Sequence, residues 1–391
     1  MLDLLKKKES FLYLSRIVYL FLNSLLAVYL IIIKGPELFG QYSLLTIQIA
    51  FFNYIILNGL PNVLQFNISQ NEKINSFYFL PSVPAVMLVL IIFNLDELLK
   101  LEVFLLILIG SVFQALINIF SVGKHEYLTN LIFTILSNLW IVIVIVSDQL
   151  LSLNIKEIIH IWGYNSMLII VISLIYLTIK GFFKNLYFKY DLNGLTNILS
   201  NVLIGLPYEL FRFTERNFFS TTLSEVAFGV YSFLLYCVSS FQGVFVRPKN
   251  QILINQIKGV DSINLIRSHQ KSILFAYMIL ILPYTIFLIF GMQYYETIGI
   301  TYLSVLILPF LYNLFYNNST SYLILINLFG TSSQKAKFSI ILLISQGVLF
   351  GTANIINDIN LIASLMVAYF IFFNYISSYF HQKLKPAPES G

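Results

Sequence analysis

The sequence predicts an all-α polytopic membrane protein, with about twelve transmembrane helices in two six-helix bundles related by a pseudo-twofold axis along the membrane normal and a central cavity between them. Composition gives the first reason. Of 391 residues, 58% are apolar and 10% charged, and the mean hydropathy is +0.83, whereas ordinary globular domains carry about 25% charged residues. Such a chain dissolves mainly in lipid. The placement of Lys and Arg along the chain and an internal repeat at nearly half its length give the other two reasons.

Twelve spans of about 20 residues would use about 240 residues, and the remainder, divided among connections and ends, holds no sizeable soluble domain. Nucleic-acid binding, a nucleotide-binding fold and a secreted disulfide scaffold are thereby excluded. Cys237 is the one cysteine, so no intrachain disulfide can form. It lies in an apolar run and is expected to pack.

Hydropathy places the spans at 10–33, 42–65, 76–93, 101–122, 129–147, 158–179, 195–220, 227–246, 272–291, 298–328, 336–356 and 359–380. The first follows MLDLLKKKES. Its apolar run from Phe11 to Ile33 has the length of a bilayer span, so it is expected to be an uncleaved helix, not a signal peptide. An even number of spans puts both termini on one side. Seventeen of the 23 Lys and Arg residues fall on that side, Lys34, Lys100 and Lys156 on the other, and Arg16, Arg212 and Arg216 within spans. Positive charge gathers on cytoplasmic loops, which puts both termini in the cytoplasm.

Phe39-Gly40-x-Tyr42-Ser43 recurs 189 residues later as Phe228-Gly229-x-Tyr231-Ser232, in the connections after the first and seventh spans. The repeat divides the chain into an N-terminal six-helix bundle (1–180), a cytoplasmic linker (181–194), a C-terminal six-helix bundle (195–382) and a flexible tail (383–391). Because six is even, the two bundles share one orientation. The sequence KGFFKNLYFKYDLNG, from Lys180 to Gly194, mixes Lys180, Lys184 and Lys189 with Phe and Tyr residues. It suits either a segment along the cytoplasmic interface or a solvated basic connection. Arg247 to Lys271 is expected to form the longest loop, partly amphipathic.

Motifs for catalysis are absent. His125, His160, His269 and His381 follow no metal-ligand spacing, and there is no glycine-rich phosphate loop, so neither a metal nor a cofactor is expected. The informative residues are ionic groups at hydrocarbon depth, each costly there and by default the mark of a cavity or a partner. The seventh span carries Glu209, Arg212, Glu215 and Arg216. At helical spacing Glu209, Arg212 and Arg216 share a face, and Arg212 can pair with Glu215 three residues on. Pro207 removes a backbone donor one turn earlier and is expected to kink or open the helix. Arg16, in the first span, either snorkels to the interface or points into the same cavity.

Two roles fit this set. One is a buried ion-pair network that ties helices together. The other is a group of guanidiniums that hold phosphate through bidentate, charge-assisted bonds, with Glu209 or Glu215 as a coupling group. Neutral polar residues within spans, among them Asn23, Gln114, Asn118, Asn138, Asn165 and Asn313, suit interhelical hydrogen bonds or sugar hydroxyls.

KGPELFGQYSLL after the first span, Glu215-Arg216 ahead of Gly229 in FTERNFFSTTLSEVAFGVYS, and a plan of six plus six helices resemble the polysaccharide exporters of the multidrug/oligosaccharidyl-lipid/polysaccharide superfamily. Within it the likeness is to O-antigen flippases. The acidic residue of this pair is often Asp in that family, and here it is Glu215. The resemblance implies a V-shaped cavity lined by spans 1, 2, 7 and 8 and a bacterial inner-membrane location. It also implies alternating-access translocation of a polyprenyl-pyrophosphate-linked oligosaccharide to the periplasmic leaflet, with no enzymatic step. Arg16, Arg212 and Arg216 would then bind the pyrophosphate, and membrane lipids and other polysaccharide assembly proteins would be partners. Two alternatives stand beside it: a membrane-embedded polysaccharide polymerase or ligase, which short outward loops and the repeat disfavour, and a cation-coupled small-molecule antiporter of the same fold.

Overall fold

The computed structural model describes residues 10–57, 61–70, 72–79, 101–256, 263–297, 303–356 and 358–384. Helix α1 (Ser10–Tyr29) ends in a π turn, Leu30–Lys34, and Gly35 breaks it at φ +101°. Pro36 and Glu37 then open α2 (Pro36–Ile56), residue types that suit a first helical turn. The short α3 (Pro61–Ser69) precedes β1 (Ile74–Asn75) and a 3-10 turn at Ser76–Phe79. Next come α4 (Leu101–Gly123), then α5 (Tyr127–Ser137) and α6 (Leu139–Leu151), which meet at Asn138. A capping box of Asn154 and Glu157 starts α7 (Ile155–Ile179). After β2 (Leu186–Tyr187) follow α8 (Leu192–Thr222), α9 (Glu225–Gln256), α10 (Ile263–Thr297), α11 (Leu303–Phe329), α12 (Ser332–Ala353) and α13 (Ile359–Gln382).

Eleven of the twelve predicted spans fall on these helical stretches, and the span at 76–93 lies outside the described residues beyond its opening turn. Among the described residues, Ser10–Lys34, Glu102–Gly123, Tyr127–Leu151, Ile155–Ile179, Ser332–Ala353 and Ile359–Gln382 are long and apolar enough to cross a membrane. The chain is an all-α, multi-pass membrane protein.

Four local expectations are corrected. The second span, expected over 42–65, is divided among the described residues between α2, which ends at Ile56, and a separate helix at Pro61–Ser69, where Pro suits the first helical turn. The repeat copies lie inside helices, in the first turns of α2 and α9, because Pro36 and Ser224 start those helices early; the Ser224 hydroxyl accepts from the Ala227 N–H at 3.3 Å. The loop expected over 247–271 is helix on both flanks, since α9 runs 32 residues, about 48 Å, well past the ~30 Å hydrocarbon core. Cys237 is exposed, because α9 turns Leu234, Leu235 and Val238 inward.

The chain forms two compact units: residues 1–34 with 44–202, and residues 35–43 with 203–391. In unit 1 the Ser15 hydroxyl donates to Asn130 at 2.9 Å and Asn23 donates to Asn138 at 3.1 Å. Both pairs are 115 residues apart, so α1 runs parallel to α5 and α6. The ladder continues as Asn130 donates to Asn118 at 2.6 Å, Gln114 to Ser137 at 2.7 Å and Asn165 to the Ser137 carbonyl at 3.1 Å. Lipid supplies little hydrophobic drive between helices, so such bonds and close approach hold them together. Glycines provide the approach: a Cβ on Gly110 would lie 2.7 Å from that of Ser166, and one on Gly163 would lie 2.9 Å from a Val103 methyl.

At one end of unit 1, Glu126 takes a 2.8 Å salt bridge from Lys180 and a 2.7 Å bond from Tyr176. Burial works against its ionisation, but those two bonds and the charges of Lys180 and Lys124 outweigh it and hold the carboxyl below its usual value. In unit 2, α11 packs along α13, α9 and α10. Here the two repeat copies meet: a Cβ on Gly40 would lie 3.5 Å from the Gly229 Cα, and one on Gly229 would lie 1.9 Å from the Pro36 carbonyl oxygen.

Gly229→Ala should therefore lower stability by about 1–3 kcal/mol, the usual penalty of overpacking. Gly347→Ala, where a Cβ meets nothing within 4 Å, should be neutral or stabilising by up to about 1 kcal/mol; thermal melting of both purified variants separates the cases. A carboxyl with a lowered folded pKa adds stability above its unfolded value and loses it as pH falls through the folded one. Melting of wild type and Glu126→Gln should thus differ at neutral pH and converge in acid below the ordinary carboxylate range.

Candidate functional site

Helix α8 turns one stripe inward. Ser200, Ile204, Tyr208, Phe211, Glu215 and Phe219 are all buried, at the three-and-four spacing of a single helix face. Phe211 anchors it, stacked on Tyr369 at 5.2 Å between ring centres and edge-on to Phe370 at 4.6 Å. Pro207 leaves the Leu203 carbonyl without its helical donor, and α12 answers the defect. The Ser339 hydroxyl donates to the Leu203 carbonyl. The Gln346 amide donates to the Pro207 carbonyl at 3.2 Å and accepts from the Phe211 N–H at 2.7 Å. The opening expected at Pro207 is thus bridged by a neighbouring helix.

The four ionic residues of α8 divide into two pairs, and the expected Arg212–Glu215 pair does not form. Arg212 donates back to Glu209 at 3.3 Å, with side chains 22% and 18% exposed. Its guanidinium lies 5.5 Å from the centre of the Tyr208 ring, and Tyr208 stacks on Tyr316. A helical side chain leans toward the N-terminus of its helix, which brings Arg212 over Tyr208 and Glu209 and away from Glu215. One bond from Nη1 engages the guanidinium among the described residues, and four of its five N–H donors remain to be offered.

Glu215 and Arg216 are sealed, at 1% and 6% exposure. The Glu215 carboxylate lies 3.5 Å from the Arg216 Nε and accepts from the Tyr231 hydroxyl. Arg216 donates to the Ser43 hydroxyl. Each copy of the repeat therefore supplies one partner of the pair, Ser43 from the first and Tyr231 from the second. Arg216, expected among the anion-binding residues, is placed against Glu215 and Ser43. Arg16 belongs to unit 1, half-buried, where its Nη2 donates to Asn118 at 3.4 Å and so joins the polar ladder.

Sequence reasoning named the ionic residues but not what holds them. Ser43 and Tyr231 stood in the repeated motif, and Tyr208 stands four residues before Arg212, the spacing at which helical side chains meet. Ser339 and Gln346 carry no such signal, being neutral residues on another span. Lys335, counted with the loops, lies in the first turn of α12 and is buried. The described residues hold no cluster of His, Cys, Asp or Glu suited to a metal ion.

No family model and no curated protein matches the chain. Among solved structures it is similar to "Crystal structure of MATE in complex with Br-NRF", at 14% identity and TM-score 0.47 over 96% of this chain and 92% of that one. It is likewise similar to "Crystal structure of MATE in complex with MaL6", at 15% identity and TM-score 0.45 over 96% and 94%.

The two arginines should respond oppositely to truncation. Removing one partner of a buried pair leaves the other uncompensated and costs about 3–5 kcal/mol, so Arg216→Met or Glu215→Leu should lose most folded protein, while the double replacement recovers much of it. Arg212→Ala, at a pair that keeps some exposure, should cost less, about 1 kcal/mol. Fluorescence-detected gel filtration after a temperature ramp reads all four variants.

Proposed function

We propose that the chain is a transporter: a flippase that carries a polyprenyl-pyrophosphate-linked oligosaccharide, an O-antigen or capsule repeat unit, from the cytoplasmic to the periplasmic leaflet of a bacterial inner membrane by alternating access. The observation that carries this reading is the guanidinium of Arg212, fixed on its stem by Tyr208 and Glu209 in α8, the helix that the sequence gives as the seventh span. The polyprenyl tail of such a substrate can stay in lipid, so the barrier is the charged headgroup, whose desolvation is worth several kcal/mol or more unless protein groups replace the water. A planar fork of N–H donors does this for phosphate oxygens through paired, charge-assisted bonds. Arg16 is retained as a second headgroup ligand, and the Glu215–Arg216 pair is assigned to holding α8 in place.

A second reading, a cation-coupled small-molecule antiporter, draws on Glu209. Its carboxylate is partly exposed beside Arg212 and would exchange a proton or cation as the arginine engages a substrate.

Purified protein in vesicles, supplied with a fluorescent polyprenyl-pyrophosphate oligosaccharide, tests both. Wild type should move the lipid between leaflets; Arg212→Ala should slow this by about tenfold to a hundredfold, the worth of hydrogen bonds to a charged group, and Arg212→Lys should lose less. Unchanged transport by a folded Arg212→Ala protein would contradict the assignment. Exchange of organic cations with no movement of the lipid-linked sugar would select the antiporter.

A further inference from the structure

At the end of unit 1 that carries Glu126 and Lys180, the chain leaves α7 through Gly181, at φ +71°, and is clamped as it goes. β2 pairs in parallel with β1, Ile74 opposite Leu186 and Asn75 opposite Tyr187. The Asn75 side chain closes on both backbone groups of Lys189, donating to its carbonyl at 2.8 Å and accepting from its N–H at 3.1 Å. Ser76 donates to the Tyr187 carbonyl at 3.1 Å. Beneath the segment, buried Phe77 packs edge-on against Phe188 at 5.8 Å and beside Tyr190 at 5.3 Å.

With the backbone so held, the rings cannot fold away. Phe183, Tyr187, Phe188 and Tyr190 are all turned outward, Phe188 with 74% of its surface exposed and Tyr190 with 67%, and Lys184 and Lys189 are exposed between them. Large rings shown to water in this way mark an interaction surface. Three observations say what covers it. The segment directly follows α7, whose 25 residues span about 37 Å, enough to bring it out at the lipid–water boundary. Aromatic rings interleaved with lysines are the side chains that settle at headgroup depth. Lysines also outnumber carboxylates here: Glu126 is engaged by Lys180, and the stretches that form the clamp carry Lys73, Lys184 and Lys189 against Glu72 and Asp191.

We propose that the Phe183–Tyr190 segment is a docking surface for anionic lipid headgroups, with its rings seated among the headgroups and Lys184 and Lys189 against their phosphates. It makes the protein sensitive to the charge of the surrounding leaflet, through a site separate from α8. The attraction is electrostatic in its selectivity, so added salt weakens the preference for anionic over zwitterionic lipid and leaves the seating of the rings.

The test uses the full chain with Cys237→Ser and Phe188→Cys, labelled at residue 188 with a fluorophore and placed in vesicles of phosphatidylcholine alone or mixed with phosphatidylglycerol. Lipids bearing a headgroup-level nitroxide should quench the label, more so with phosphatidylglycerol, and aqueous iodide should reach it far less than a label at Lys156→Cys. In detergent, Lys184→Gln/Lys189→Gln should bind added phosphatidylglycerol about 25-fold more weakly than wild type, fivefold for each lysine near a charged surface, with phosphatidylcholine binding unchanged. Free access of iodide without nitroxide quenching, which a soluble partner's surface would give, overturns the proposal. So does equal phosphatidylglycerol affinity of the double variant and wild type, which limits the segment to neutral interfacial contact.

Discussion

A carboxylate and a guanidinium with almost no exposure, set in an apolar unit, persist only while their neighbours stay in place. Glu215 and Arg216 depend on Tyr231 and Ser43, and these two residues arrive together because the glycines beside them let their helices close to backbone contact. A side chain on Gly229 would overlap the Pro36 carbonyl, so the pair and the crossing stand or fall together. The residues between Gly35 and Ser43 belong to unit 2 for this reason, although they open a helix that continues into unit 1.

Once that pair is locked, the rest of α8 has a fixed setting. The ladder defect at Pro207 is bridged by Ser339 and Gln346, Phe211 is fastened among the rings of α13, and Arg212 is left at the edge of the buried stripe with Tyr208 under it. Two arginines four residues apart thereby have different fates. One is consumed by the fold and one is presented by it. Buried Arg216 lies against the Glu215 carboxylate and donates to Ser43, while one bond, to Glu209, engages the Arg212 guanidinium among the described residues.

Much of the architecture was legible in the sequence. Apolar runs and the shortage of charge located the helices among the described residues, and the spacing of Glu209, Arg212, Glu215 and Arg216 located the ionic stretch of α8. What hydropathy could not resolve were helix ends, because the first turns that follow Gly35 and Ser224 and the long polar extensions of α9 and α10 are helical outside the apolar windows. Pairing within α8 was also missed, since spacing three residues forward and three residues back is equivalent on paper and only the lean of the side chains decides between them. The repeat was visible, but its meaning was not. Phe-Gly-x-Tyr-Ser recurs because its two copies pack on each other and both feed one ion pair, a relation that no local pattern expresses.

The division of labour between the two arginines is open to direct chemical measurement. Phenylglyoxal modifies accessible guanidiniums, and mass spectrometry of the digested protein reports each arginine by its own peptide. In folded protein within vesicles, Arg212 should be modified readily and protected by a polyprenyl-pyrophosphate lipid, while Arg216 should react only after unfolding. Equal reaction of the two, or an Arg212 that stays inert until the chain is denatured, would contradict the account.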